Sequence, residues 1–499
     1  MDKTYSLGGV NLDVSAGRER AAATPDPGTP FRILVLGDFS GRANRGVNET
    51  GRKLAARRPI LVDRDNFDEV LARLNPRIEL PAAGTLRFTE LDDFHPDRIY
   101  ESTEFFRGLR EARKNPEKMV TESRSAPPPP PPPPPAAPAG PAPKFDFSNL
   151  LDQAVEATET RMGGRGAKSK DAFARWLDAQ VAPHVVAPED ASVVERRALI
   201  DQASNVQMRA LLHSSALQSL EAAWRSLFFL VRRVETGTDL QIYILDISKE
   251  ELAEDLADLD GLPESGTFRA LAESSTGVAG GDPWGVIVGN YTFGYGNDDL
   301  RLLMQLGTIA GALDAPWISA ASPAFLGCPS MAAAPDYSDW TPLKSENWEA
   351  LRRSEIAPSV GLILPRFLLR MPYGKQSDEC ELFPFEELGA DLDHEEYLWG
   401  NAAFVCAVLM AEAFSEDQWS MRPGRYANLG GLPVDVRTRD GERVAQPCAE
   451  VLMAERGAGI ITDLGLMPLA SLKNTDEVRL VRFQSIAHPP AALSGRWSS

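Results

Sequence analysis

The hydrophobic pattern of the chain changes period several times. Around residues 211–233 it is helical: Leu217, Leu220, Trp224, Leu227, Phe228 and Val231 recur at three- and four-residue steps, and Glu221 stands four positions before Arg225. That spacing predicts an amphipathic helix with an apolar stripe toward a core and an ion pair on its flank. Phe67, Val70, Leu71 and Leu74 predict a shorter helix over 65–74, with Asn66 and Glu69 spaced for a reciprocal cap. Residues 401–413 are apolar on every side, so the helix they form should be buried all round. Short apolar runs of strand character lie between and around these helices, at 31–42, where the strand ends in a turn, and at 240–246, 284–289, 315–320 and 361–364. A helix opening at Asp298 and Asp299, with Leu302, Leu306, Ile309 and Leu313 on one side, falls between two of them. Strand, helix, strand in that order predicts an α/β (mixed α+β) fold.

Punctuation divides the chain. Residues 1–28 are small and polar and read as a flexible arm, with 5–10 able to pair as a strand against a partner. A strand at 85–88 precedes Asp92, Asp93, Phe94 and Pro96, which open a helix of about five turns with Pro96 near its first position. Ile99, Phe106 and Leu109 face its core side, and His95 reads as a capping or surface residue. Residues 127–135 are nine consecutive prolines inside a Pro/Ala-rich stretch. Such a run is extended and semi-rigid, a spacer or a ligand for a proline-binding domain. The expected units are therefore 29–119, a linker at 120–144, a second unit over 145–485 and a flexible tail at 486–499. Residues 152–205 read as helices with loops, with Phe173, Trp176 and Leu177 as apolar anchors.

The stretch 361–374 carries Pro365, Arg366, Arg370, Pro372, Tyr373 and Gly374 within apolar surroundings. A buried guanidinium is costly unless carboxylates or carbonyls meet it. Two structural salt bridges, or contacts between subunits, are the readings of this pair.

Candidate chemistry changes little. Asp38 and Asp246 stand at strand ends, but no Gly-Lys-Ser/Thr follows the glycines near 37–41, so a phosphate loop is not indicated. Gly294 and Gly296 lack the rest of a dinucleotide fingerprint. The four cysteines have no metal-ligand or disulfide spacing, which fits a reducing cytosol. His394, among Asp393, Glu395 and Glu396, reads as a solvated acidic cluster. The glycines at 424, 430 and 431 read as turns. No cofactor, metal or catalytic group is expected. A net charge of −19 argues against nucleic acid and anionic membrane as partners. There is no signal pattern at the N-terminus and no apolar run long enough to span a bilayer. A cytoplasmic protein is expected.

Several ordered motifs carry a resemblance. In the first unit these are Gly37-Asp-Phe-Ser-Gly41, Val62-Asp-Arg-Asp-Asn-Phe-Asp68 and Asp92-Asp-Phe-His-Pro96. They resemble the small sheath subunit of the bacterial type VI secretion system. In the second unit they are Leu220-Glu-Ala-Ala-Trp-Arg-Ser-Leu227, Ala315-Pro-Trp317, the 361–374 stretch, Leu398-Trp-Gly-Asn401, Gly430-Gly-Leu-Pro433 and Asp463-Leu-Gly-Leu-Met-Pro-Leu469. These resemble the large sheath subunit of the same system, a contractile tube related to phage tail sheaths. The resemblance singles out Asp38, Asp92, Asp93, Phe94, Pro96, Glu221, Trp224, Arg225, Trp399, Gly400 and Asn401, with the six residues of 365–374, as structural or interface positions.

The resemblance implies a fused small and large subunit that polymerises and contracts around an inner tube. Other sheath subunits, baseplate components and the recycling AAA+ unfoldase are the implied partners. In the large subunits a further C-terminal portion follows the position of Phe483, whereas this chain stops at Ser499. A non-polymerising adaptor, cap or nucleator is the alternative. An enzyme is the remaining class, and no triad, paired carboxylate or phosphate loop supports it.

Overall fold

The computed structural model describes residues 3–7, 10–14, 25–26, 28–81, 83–115, 193–257, 261–275, 281–389, 394–439 and 442–497. The proline run, 145–151, and Phe173, Trp176 and Leu177 lie outside the described residues.

One nine-stranded sheet organises the chain. In chain order its strands are β1 (Phe31–Gly37), β2 (Ile60–Val62), β3 (Leu240–Asp246), β4 (Trp284–Phe293), β5 (Trp317–Ala321), β6 (Val360–Leu364), β7 (Asn428–Leu429), β8 (Met467–Ser471) and β9 (Val478–Leu480). Across the sheet the order is β7-β9-β8-β6-β5-β4-β1-β3-β2. The central strands β3, β1, β4, β5, β6 and β8 run parallel. β2 closes one side antiparallel to β3, and β9 turns back along β8 on the other.

The strand that joins the two units is β1. It comes from the first sequence unit, yet it pairs with β3 on one side and β4 on the other, both from the second. Leu34 lies level with Tyr243 and with Ile287. The two units distinguished by the motifs therefore share one sheet.

Both faces of that sheet are covered, as parallel sheets require. Phe31, Ile33 and Val35 point into one core, and Leu34 and Leu36 into the other. Helices Ser215–Arg233 and Ala403–Asp417 cover the first face, and Asn297–Ala312 and Glu346–Arg352 the second. The predicted stripe at 217–231 is buried except for Phe228, which packs partly exposed. Phe31 stacks on Phe414 at 5.0 Å, tying the sheet to the all-apolar helix.

Four sequence expectations need correction. The helix of about five turns predicted to open at Asp92–Pro96 is broken: Pro96–Ser102 and Arg107–Lys114 are separate helices, and Thr103 is extended. The Arg110 guanidinium takes the carbonyls of Tyr100 and Thr103 at that break. The reciprocal cap at Asn66 does not form, because its side chain accepts from Asp63 N–H instead. The N-terminal arm contains an antiparallel strand pair, Lys3–Leu7 with Val10–Val14.

The expected free tail is packed. Ile486 and Leu493 are fully buried. Ile486 N–H donates to Val360 O at 2.9 Å, and Ser494 N–H to Pro358 O at 2.8 Å. Arg352 Nε donates to Ile486 O at 3.0 Å. The Pro/Ala/Ser composition concealed two apolar anchors that sit against the start of β6. Leu493→Ala should destabilise the protein by about 2–5 kcal/mol, the ordinary cost of emptying a buried leucine site. Urea unfolding monitored by tryptophan fluorescence measures it, and an unchanged midpoint would mean that the segment is not anchored.

Candidate functional site

The predicted site residues fall into linked clusters near the C-terminal ends of the central strands. β6 ends at Leu364, followed by a cis peptide to Pro365, and this delivers Arg366 beyond the sheet. Arg366 N–H donates to Glu450 Oε2 at 2.9 Å, and its guanidinium reaches Glu450 Oε1 at 2.5 Å. The same guanidinium holds both oxygens of Glu395, at 3.0 and 2.9 Å. The Glu450 side chain is fully buried. Burial pushes its carboxyl up, but His394 and Arg366 more than offset this and hold it below its ordinary value.

His394 is not the solvated residue expected. It stacks on Trp399 at 4.6 Å, its Nε2 lies 3.3 Å from Glu450 Oε1, and its carbonyl accepts from Trp399 Nε1.

The second arginine is deeper. Arg370 donates Nε to Glu221 Oε1 at 2.8 Å and reaches Glu387 at 2.7 and 2.9 Å. Arg225 Nε donates to the same Glu221 oxygen at 2.6 Å, and its other nitrogen to Tyr373 OH at 2.8 Å. Tyr373 N–H closes the ring onto Glu387 Oε2 at 2.7 Å. Two guanidiniums thus meet two buried carboxylates. Burial alone would raise Glu221, but Arg370 and Arg225 hold it below its usual range. The sequence motifs flagged Glu221 and Arg225 as a helix pair. They gave no sign of Glu387 or Glu450, which lie 17 and 84 positions from their arginines.

The remaining predicted positions are structural contacts. Between Gly289 and Thr292 the β4–β5 register shifts. Asn401 Nδ2 donates to Tyr291 O at 3.0 Å and Gly289 O at 3.3 Å, meeting carbonyls at that irregularity. Its Oδ1 accepts from Ala403 N–H at the start of helix Ala403–Asp417. Trp399 and Gly400 pair antiparallel with Leu368 and Phe367. Gly374 has φ +154°, and a Cβ there would stand 2.3 Å from Glu386 Oε2. Pro372 is buried beside it.

Trp224 Nε1 donates to Phe39 O at 2.8 Å, joining the second unit's helix to the loop after β1. Asp38 accepts from the N–H groups of Arg42 and Ala43. Phe94 stacks on Phe88 at 4.1 Å, Pro96 is buried at a helix start, and Asp93 accepts from Thr89 and Glu90. Asp92 is exposed. His95 caps its helix as expected, with Nδ1 accepting from Asp97 N–H at 3.2 Å.

The glycine loop after β1 shows why it does not cradle phosphate. Phe39 and Ser40 N–H both donate to Asp246 Oδ1, at 2.8 and 3.0 Å. A carboxylate of the protein already takes the anion's place. Glu251, below this loop, is shared by Arg42 and Arg57. A cavity of about 270 Å³ opens beside Arg366, lined also by Gln218, Asn290, Thr292, Trp399 and Asn401.

These features define a sheet protein whose buried charges are spent on one another and hold distant segments together. The family described as EvpB/VC_A0108, tail sheath N-terminal domain, matches residues 195–487, and the chain belongs to it. A second family, Type VI secretion system, VipA, VC_A0107 or Hcp2, matches residues 18–126 of the same chain. The Type VI secretion system sheath protein TssC1 of Pseudomonas aeruginosa is 35% identical over 302 residues. The match covers 58% of this chain and 61% of that relative's length.

Glu221→Gln should destabilise the protein by about 3–5 kcal/mol, because it strips Arg370 and Arg225 of a buried partner. Combining it with Arg370→Met should cost less than the two single changes added together. Denaturant unfolding of the four proteins measures both, and a loss below about 1 kcal/mol for Glu221→Gln would remove the network's role.

Acid sensitivity follows from the same groups. Glu221, Glu251 and Glu450 all have carboxyls depressed in the fold. Their stabilisation is present above the unfolded carboxylate value of about 4.3 and is lost as pH falls through their folded values. Asp246 is raised, chiefly by burial, so its contribution has the opposite sign: present at low pH and lost as pH rises through its folded value. Glu49 and Asp336 are lowered as well and Glu412 is raised, so with five carboxyls against two the wild type should unfold on acidification below about pH 4.3. Glu221→Gln should make the pH dependence of its unfolding free energy shallower in that window.

Proposed function

We propose that this chain is a structural component of a type VI secretion contractile sheath, a small and a large subunit in one polypeptide. Its work is mechanical: it polymerises around an inner tube and contracts by changing between two packings of the same protomers. The observation that carries this reading is the position of β1. β1, from the VipA-like match, is a central strand of a sheet whose other strands, the edge strand β2 apart, come from the tail-sheath match. The two matches are thus halves of one protomer, with fixed one-to-one stoichiometry.

The charge networks support the same reading. Arg366 and Arg370 each bind carboxylates from other segments of the chain, as a body that carries load needs. Self-association and other sheath subunits are the first partners, and the inner tube, baseplate components and the AAA+ unfoldase are further ones. No catalytic step is assigned. No helix among the described residues is long and apolar enough to cross a membrane, and the cytoplasm is the proposed location.

Negative-stain electron microscopy of the purified chain, alone and mixed with full-length sheath subunits, tests the proposal. Tubes or rings from the chain alone are expected. Monodisperse particles that only decorate or shorten tubes in the mixture would replace the sheath reading with an adaptor or cap. Particles with no effect on sheath assembly would overturn both.

A further inference from the structure

One cluster joins the two matched units and, apart from His95, lies outside the motifs. His95 and Asp97 stand at the start of helix Pro96–Ser102, from the first unit. Cys380 and Asp378 come from the loop after Tyr373, in the second. A ligand atom of His95, one of Asp97 and the Cys380 sulfur all lie within 4.8 Å of one another. We propose that His95, Asp97 and Cys380 bind a divalent transition-metal ion of the zinc class and staple the loop 374–386 to the first unit.

The donor set selects the ion. One imidazole nitrogen, one carboxylate oxygen and one thiolate suit zinc or cobalt, whereas calcium and magnesium take oxygen. Three protein ligands leave a fourth tetrahedral position for water. His95 Nδ1 lies 3.9 Å from Asp97 Oδ2. Ligands on one tetrahedral ion stand about 3.3–3.7 Å apart, given metal bonds of about 2.0–2.3 Å. From separations of at most 4.8 Å the cluster has to close by up to about 1.1–1.5 Å to coordinate. Coordination through Nδ1 would replace the 3.2 Å bond from Asp97 N–H.

The outer contacts are those a metal site uses. His95 Nε2 faces Asp378 Oδ1 at 3.7 Å, the place of the carboxylate that orients a ligating imidazole. Asp97 accepts from Glu381 N–H at 2.7 Å and Leu382 N–H at 3.1 Å, which pins the backbone next to Cys380. His95 rests edge-on against Tyr373 at 4.9 Å, a member of the Arg370 network. Cys380 is buried, and half-buried His95 and Asp97 border exposed Asp378, so an ion can enter from that side.

Charge points the same way. Asp97 within the cluster and Asp378, whose Oδ1 is 3.7 Å from His95 Nε2, bring two carboxylates to the place where a divalent cation would sit. A divalent cation would meet both carboxylates, and the thiol proton leaves to solvent as the Sγ–metal bond forms.

The test titrates the chelator-stripped full-length chain with Co²⁺ alone. A single equivalent should bind with the intense near-ultraviolet absorption of a cobalt–thiolate bond. That band should vanish in Cys380→Ser, fall in affinity about tenfold or more in His95→Gln, and persist in Cys328→Ser. Zn²⁺ should also slow alkylation of Cys380 in the wild type, read by mass spectrometry, which keeps the test valid if a variant fails to fold. No thiolate band with Co²⁺, a band that survives in Cys380→Ser, or alkylation unaffected by Zn²⁺ would overturn the site.

Discussion

Arg370 sets the constraint on which much of the rest depends. Its largely buried guanidinium lies over the Tyr373 ring and is met by Glu221 from helix Ser215–Arg233 and by Glu387 from the loop beyond Tyr373. Neither carboxylate has other cations enough to leave water on its own. Coulomb attraction at short range offsets desolvation only when geometry is good and the remaining hydrogen-bonding groups are satisfied. Here Arg225, Tyr373 N–H and the Arg370 contact to Met371 O supply those groups. The cost of breaking any one contact is therefore high, and helix, strand end and loop are held to one arrangement. A tight charge network gives that specificity more readily than it gives net stability.

Arg366 repeats the device one turn of chain away, with a different balance. One guanidinium faces Glu395 and the fully buried Glu450, and His394 sits beside the second carboxylate. Trp399 lies under the arginine at 5.7 Å and packs on His394. The segment between the arginines, Phe367–Leu368, pairs with Trp399–Gly400. Both networks therefore flank one short strand pair, and Asn401 then ties that pair to the shifted register of β4 and β5. A displacement at this strand pair would reach both networks and the sheet together.

What could be read from residue order was local. Periodicity places Leu217 through Val231 on one helix face, and the apolar runs of β1, β3, β4, β5 and β6 are strands. An α/β layer order follows from those alone. Buried arginines at 366 and 370 announce that carboxylates must be near, because an unpaired guanidinium would be too costly. Which carboxylates was not legible, since Glu221 lies 149 positions from Arg370 and no local rule links them. Strand order was hidden for the same reason: nothing within β1 says that its neighbours come after residue 239. The broken helix at Thr103 turned on Arg110 reaching back for two carbonyls, a competition that periodicity does not register. The packing of residues 486–497 was not legible because composition averages over Ile486 and Leu493, and two well-placed anchors suffice.

The place of β1 also explains why a long connection between the units is tolerable. A central strand with both edges paired cannot be left out of the sheet without exposing two rows of backbone groups and two apolar faces. That loss far exceeds the entropy of closing a longer loop, which grows by only about 0.6 kcal/mol per doubling of length. The chain between Asn115 and Val193 can therefore vary widely in length without competing with sheet formation. What the covalent link contributes is encounter: it raises the effective concentration of one half for the other and removes any need for two separate chains to find each other. Selection on such a connection would act on assembly order and stoichiometry, while the register of Leu34 between Tyr243 and Ile287 is set by the sheet itself.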